Sequence, residues 1–367
     1  MSVRIIAARR TAVMPRGGAF AALAPHDLAA PVIRAVLADA GLPADGVDEL
    51  ILSNALGAGG NPARLAALAA GLPERVAGLT IDRQCAGGLD AIRLAAAMVA
   101  SGQAQAVLAG GAESHSRRPL RLAQAPGQPP RAYDAPPFTP WPDRDPDMTQ
   151  AAAALAARLG LTRARQEAWA MRAHALTLAH AHPEIVALPQ GGADGFARSL
   201  SPGLMARARV LAGGDTDCAI TAATTAVAAD GAAFVLVVSP ALAQRLGAPR
   251  ALRLTGAATL GAAPEEPGLS PLPAIRAALA QAGLTPRALA RVELMEAYAA
   301  QALACLDAAG FDPDRVNPEG GALARGHPIG ASGAVLAVRL FHGLHQGAGL
   351  AAIAAAGGIG SALVLEA

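Results

Sequence analysis

"LTIDRQCAGGLDAIRLAAAMVASGQAQAVLAGG", residues 79–111, decides the fold. Residues 79–83 read as a short strand. Residues 88–100 read as a helix with apolar side chains at helical spacing, and 106–109 as a strand ending in Gly110-Gly111. The alternation continues on both sides. Residues 3–8 and 49–54 are strand-like, with a helix over 27–40 between them. Farther on, 234–238 reads as a buried strand, 251–255 and 292–294 as strands, and 274–282 as a helix stopped by Gly283. A helical run follows His327 as far as residue 344, and 353–355 leads into Gly357-Gly358. Such alternation predicts an α/β fold with buried strands.

One region breaks the pattern. Residues 119–146 are rich in Pro and Arg and hold a cluster of Asp, and two helices follow near 148–159 and 162–180. This reads as an insertion over one face of the core. The flanking parts resemble each other. "CAGGLDAIRLAAAMVASG" and "HPIGASGAVLAVRLFHGLHQG" both set a reactive residue before glycines and a helix. "AVLAGGAES" and "AIAAAGGIGSA" are both apolar runs ending in paired glycines. The expectation is an internal duplication. An N-terminal half over residues 1–240 carries the insertion at about 117–212, and a C-terminal half covers 241–367.

Composition narrows the function. The chain has 367 residues, 53% hydrophobic and only 3% aromatic, so Ala, Leu, Val and Ile must build the core. A net charge of +2 argues against a nucleic-acid surface. There is no lysine, which excludes a Schiff-base mechanism and a standard P-loop. Three widely spaced cysteines, Cys85, Cys218 and Cys305, argue against a disulfide framework and a metal centre. The N-terminus carries arginines within its apolar stretch, unlike a signal peptide. The most apolar tract, 349–365, is too short to span a membrane. The expectation is a cytoplasmic protein without membrane partners.

Cys85 stands at the N-terminus of a predicted helix, where unpaired N–H groups and the dipole favour a thiolate and could stabilise an oxyanion. Local features alone leave it open between a nucleophile and an inert buried thiol. His327, between Gly326 and Pro328, suits a fixed imidazole facing a cleft, although a lone histidine is more often structural. His342 and His345, and His180 and His182, lack a further ligand and read as surface pairs. "GASG" at 330–333 is no nucleophile elbow, so Ser332 is a weak nucleophile candidate.

The segments "DRQCAGGLDAI", "AGGAESHSRRP", "MEAYAAQALA" and "GGALARGHPIGASGA" make the chain resemble a thiolase along nearly its whole length. The resemblance implies a five-layered αβαβα fold, coenzyme A thioesters as substrates, no permanently bound cofactor, and a homodimer or homotetramer. It implies Cys85 as the acyl-accepting nucleophile and His327 as its base. It implies an oxyanion hole from the backbone N–H groups of Cys85 and Ala356. Met148, Ala226 and Arg207 fall in the implied coenzyme A region, and Arg117, Arg118, Arg121 and Arg209 are further candidates for phosphate contacts.

The chain departs from the family pattern at two implied catalytic positions. Ala354 stands where a second cysteine handles the α-proton, and Met295 where an asparagine holds a water. Neither methyl nor thioether can take those roles. In the coenzyme A region, Ala226 replaces a serine, Val227 a glycine and Asp147 a histidine. The expectation is an acyltransferase that forms S-acyl-Cys85 from acyl-CoA or another pantetheine thioester, with its carbon–carbon step impaired. The alternatives are a non-catalytic thiolase-like subunit supporting a partner enzyme, and an ordinary thiolase with a replacement acid or base.

Overall fold

The computed structural model describes residues 3–57 and 59–367. Its principal strands are β1 (Arg4–Thr11), β2 (Glu49–Ser53), β3 (Leu79–Ile81), β4 (Ala106–Ser114), β5 (Ala229–Val238), β6 (Leu252–Gly261), β7 (Leu289–Leu294), β8 (Ala348–Ala355) and β9 (Ile359–Glu366). The principal helices are α1 (Pro25–Ala40), α2 (Pro62–Ala70), α3 (Gly87–Ala100), α4 (Met148–Leu159), α5 (Arg163–Ala179), α6 (Pro271–Ala282), α7 (Ala299–Ala309) and α8 (Ile329–Gly343).

Hydrogen bonding runs β7-β8-β9-β6-β1-β5-β4-β2-β3. The seam is thin among the described residues: β1 and β6 pair through Arg4 with Arg253 and Ile5 with Leu252, and the Leu254 N–H donates to the Val3 carbonyl. On one side, β2 is parallel to β3 and β4, and β5 is antiparallel to β4 and β1. On the other, β7 is parallel to β8, and β9 is antiparallel to β8 and β6. The two half-sheets thus repeat one pattern, with β1, β2, β4 and β5 matched by β6, β7, β8 and β9.

Three apolar cores hold five layers together, the middle one spanning both sides of the central helices. α1 and α2 cover the outer face of the first half-sheet, around Ile33, Leu50 and Phe234. α3 and α8 lie between the half-sheets and share a core with Ile51, Val235, Ile353 and Leu363. α6 and α7 cover the outer face of the second, together with α4 and α5 of the insertion. Covered on both faces, β4 and β5 have every residue buried, which is why such strands read as continuous apolar runs. Each fully buried Ile, Leu or Phe contributes roughly 1.5–3 kcal/mol against the entropy of ordering it.

The helix stop at Gly283 is real, with φ +68 in the left-handed region. The strand end expected at Gly110-Gly111 is not: β4 runs on to Ser114. There the missing side chains serve close approach. A Cβ on Gly110 would strike the Ala233 carbonyl, and one on Gly111 the Gly330 carbonyl at the start of α8. Likewise β5 begins at Ala229 rather than near 234, because its first half is Ala, Asp and Gly and carries no strand-like signature. The apolar tract 349–365 is the β8–β9 hairpin, and among the described residues no helix is long and apolar enough to cross a membrane.

A buried ionic cluster ties the insertion to the core. Glu184 and Asp194 flank the Arg10 guanidinium at 2.9 and 2.7 Å, and Glu184 also takes Arg339 of α8 at 2.6 Å. The two guanidinium groups hold the Glu184 carboxyl well below the usual range despite its burial. His182 and His342 do not fit the surface reading. His182 bonds to Arg339 and the Thr177 carbonyl, and His342 to the Ala8 carbonyl, both part-buried.

Candidate active site

β2, β3 and β4 point their carboxyl ends the same way, and so do β7 and β8. In open α/β sheets ligands bind beyond such ends. Cys85 follows β3 in a short turn, Gln84–Ala86, that leads directly into α3. Gln84 holds φ +45, costly for a residue with a side chain. The Asp82 carboxylate secures it by accepting from the Gln84 N–H at 2.8 Å. His327 lies two residues before α8, as Cys85 lies two residues before α3. Its N–H donates to the Val227 carbonyl at 2.8 Å, which anchors it to the strand-like segment before β5.

The two helices meet at glycines. A Cβ on Gly88 would collide with the backbone N of Ala334, and one on Gly333 with the backbone N of Leu89. This close crossing brings the helix starts together. His327 Nε2 lies 3.2 Å from Cys85 Sγ. His327 Nδ1 lies 2.6 Å from the Ser332 hydroxyl. That hydroxyl also lies 3.0 Å from the Pro328 carbonyl, to which it can donate while accepting from Nδ1–H. In that arrangement Nε2 keeps its lone pair and faces the thiol. Ser332 is therefore no nucleophile. It orients the imidazole.

Burial governs the electrostatics. It pushes the Cys85 thiol up to about 12, helped by the nearby Glu113 and Asp82 carboxylates. It pushes His327 down to about 4, and His115 lowers it further. Burial thus works against the thiolate that the helix N-terminus favours. The pair rests as thiol and neutral imidazole, because desolvation outweighs the dipole. An imidazole lone pair against a thiol can take its proton as the sulfur attacks a carbonyl.

A cavity of about 420 Å³ opens over this pair. Leu56, Phe138, Met148, Ala297 and Ala354–Ala356 give it apolar walls, while His115, Arg118, Arg121, Tyr298 and Gln301 bring polar groups. Met148 is the first residue of α4, whose start is capped by the Asp147 carboxylate. Ala354 faces the cavity. Met295 does not: it is 1% exposed and packs in the middle core. Ala226 packs against the same core without lining the cavity, and Arg207 is exposed outside it. Arg121 donates to the Ala55 and Leu56 carbonyls, Arg118 pairs with Asp134, and Arg117 donates to the Ala22 carbonyl. Cys218 and Cys305 do not line the cavity; Cys305 is buried behind it, its thiol donating to the Gly268 carbonyl. Among the described residues no group of three or more His, Cys, Asp or Glu is placed to hold a metal.

Ala356 does not occupy a left-handed position. The left-handed positions of its turn are Gly357 and Gly358, at φ +72 and +74. Two residues escaped sequence reading. The Glu113 carboxylate accepts from Asn54 Nδ2 at 2.7 Å and from the N–H groups of Ala55 and Gly330 at 3.0 Å, joining the two halves beneath the cavity. Burial raises it to about 7. His115, one residue beyond β4, was marked in the sequence only by its place after an apolar strand.

Comparison with known proteins agrees. Residues 3–186 match the thiolase N-terminal domain and 249–367 the thiolase C-terminal domain. The chain is 38% identical to "Putative acetyl-CoA C-acetyltransferase YhfS" of Bacillus subtilis, covering 100% of this chain and 99% of that one. It is 34% identical to "Putative acetyl-CoA C-acetyltransferase VraB" of Staphylococcus aureus, over 98% and 97%. The crystal structure of the Bacillus anthracis acetyl-CoA acetyltransferase superposes with a TM-score of 0.89 at 31% identity, over 100% of this chain and 98% of that one. With both halves matched to their own domain, and relatives and a solved fold aligned end to end, the chain belongs to the thiolase family.

Proposed function

We propose that this protein is an acyltransferase that draws an acyl group from acyl-CoA, or from a related pantetheine thioester, onto Cys85 and then passes it to an acceptor. One observation carries the reading: His327 Nε2 lies 3.2 Å from Cys85 Sγ while Ser332 holds the opposite nitrogen. His327 takes the thiol proton as sulfur attacks the thioester carbonyl. The backbone N–H groups of Cys85 and Ala356 receive the oxyanion, and the proton leaves on the departing thiol. The names of the relatives support acetyl-CoA as a donor. The carbon–carbon step is the weaker half, because Ala354 offers no acid or base and Met295 is buried in the core. An intact thiol–imidazole pair counts against a subunit without chemistry.

The test is intact mass after incubation with a panel of acyl-CoA and acyl-carrier-protein thioesters. The expected result is one acyl adduct that disappears in Cys85→Ala. No adduct from any donor overturns the reading.

A further inference from the structure

The cavity holds a second imidazole, one of whose ring nitrogens has no hydrogen-bond partner. His115 is 9% exposed and lines the same cavity as Cys85 and His327. Its Nδ1 is buried without a hydrogen-bond partner. Both neighbours in sequence are, by contrast, fastened. Ser114 donates through its hydroxyl to the Leu23 carbonyl at 2.8 Å, and the Ser116 N–H donates to Asp230 at 2.9 Å. The backbone at this position is therefore fastened by Ser114 and Ser116 on either side. A buried ring nitrogen left unpaired costs stability, and such atoms are uncommon unless something else uses them.

The Cys85–His327 pair suffices to load an acyl group. Passing that group to carbon requires a base at the acceptor, and the wall position Ala354 cannot be one. We propose that His115 is that base: it takes a proton from the α-carbon of an acceptor acyl thioester. This rests on the S-acyl-Cys85 reading above. The electron pair left on the α-carbon forms the new bond to the acyl carbonyl carbon. The carbon–sulfur bond to Cys85 breaks with its pair on sulfur. The proton on His115 returns to that thiolate, directly or across His327, so the enzyme ends with its protons unchanged.

The surroundings suit a base. Burial, with Arg118 and Arg16 nearby, lowers the basicity of His115, and Asp230 opposes them. Asp230 is engaged by the Ser116 N–H and hydroxyl. The ring is neutral at physiological pH and able to accept a proton. It lies close enough to His327 to disfavour a second positive charge there, so the two imidazoles work in turn rather than charged together.

The experiment follows two signals from one preparation of the full-length protein with acetyl-CoA in D2O: the acetyl adduct on Cys85 and deuterium entering the acetyl methyl group. The wild type exchanges deuterium. In His115→Gln the ratio of exchange rate to acylation rate falls by about 100-fold or more. His115→Asn replaces it if the glutamine variant fails to fold, as judged by loss of the adduct. A ratio within about threefold of wild type overturns the inference. So does a wild type that acetylates Cys85 without exchanging. A wild type that never acetylates Cys85 overturns the proposed function itself, which keeps the two failures apart.

Discussion

His327 Nε2 and Cys85 Sγ stand 3.2 Å apart across 242 residues of sequence. They come from matching places in the two halves, each two residues before a helix of the middle layer. Neither half alone can bring a base to a thiol.

Ser332 fixes which nitrogen of His327 faces the thiol. Ser332→Ala should slow acylation by about 10–100-fold, less than the ~10²–10⁴-fold expected for removing His327. The loss should fall on kcat with KM for the thioester nearly constant, since no substrate contact is removed. Ser332→Thr keeps the hydroxyl and should recover most of the rate. Equal losses in both variants would refute an orienting role.

The resting pair is neutral. His327 is a free base above about 4, and Cys85 a thiol below about 12. Alkylation of Cys85 by iodoacetamide needs the thiolate, so its rate should climb steadily from pH 6 to about 10 without a plateau. A plateau near neutrality would mean a thiolate–imidazolium pair. Acylation by thioester, which uses the neutral pair, should be nearly flat over the same range.

Gly88 and Gly333 let α3 and α8 touch. Gly88→Ala forces a methyl into the backbone of Ala334, an obstacle no side-chain rotation removes. We expect about 1–3 kcal/mol of lost stability by chemical denaturation. The surviving folded protein should acylate more slowly, because the helix starts carrying Cys85 and His327 move apart. Loss of stability with an undiminished acylation rate in the folded fraction would separate packing from chemistry.

His174 is held neutral, lowered to about 4 by burial with Arg198 nearby, while its Nδ1 accepts from the Arg198 N–H. The unfolded chain binds this proton near the ordinary value of 6.5. Its contribution is therefore present above that pH and lost as pH falls toward 4. His174→Asn keeps an acceptor without a titrating group. Any melting-temperature advantage of the wild type over it should shrink from pH 7 to pH 5. A constant difference would rule out the linkage.

The sequence announced the two reactive residues because each sits in a long motif, and the strand over 234–238 because it is an unbroken apolar run. It hid what depends on contacts between distant segments. Gly110-Gly111 looks like a turn, yet it lies within β4 because the Ala233 and Gly330 carbonyls press against it. Ser332 reads as a weak nucleophile because GASG is no elbow, while nothing local announces its contacts with His327 and Pro328. The resting thiol is hidden for the same reason: a helix N-terminus is visible in a sequence, and the desolvation that works against it is not.

Arg118 and Arg121 are the cations of the cavity wall, in a chain without lysine. A thioester held beside a lysine can lose its acyl group to the amine and leave a dead amide. A guanidinium stays protonated and does not attack. The acyl group proposed for Cys85 would therefore meet no lysine amine of its own chain.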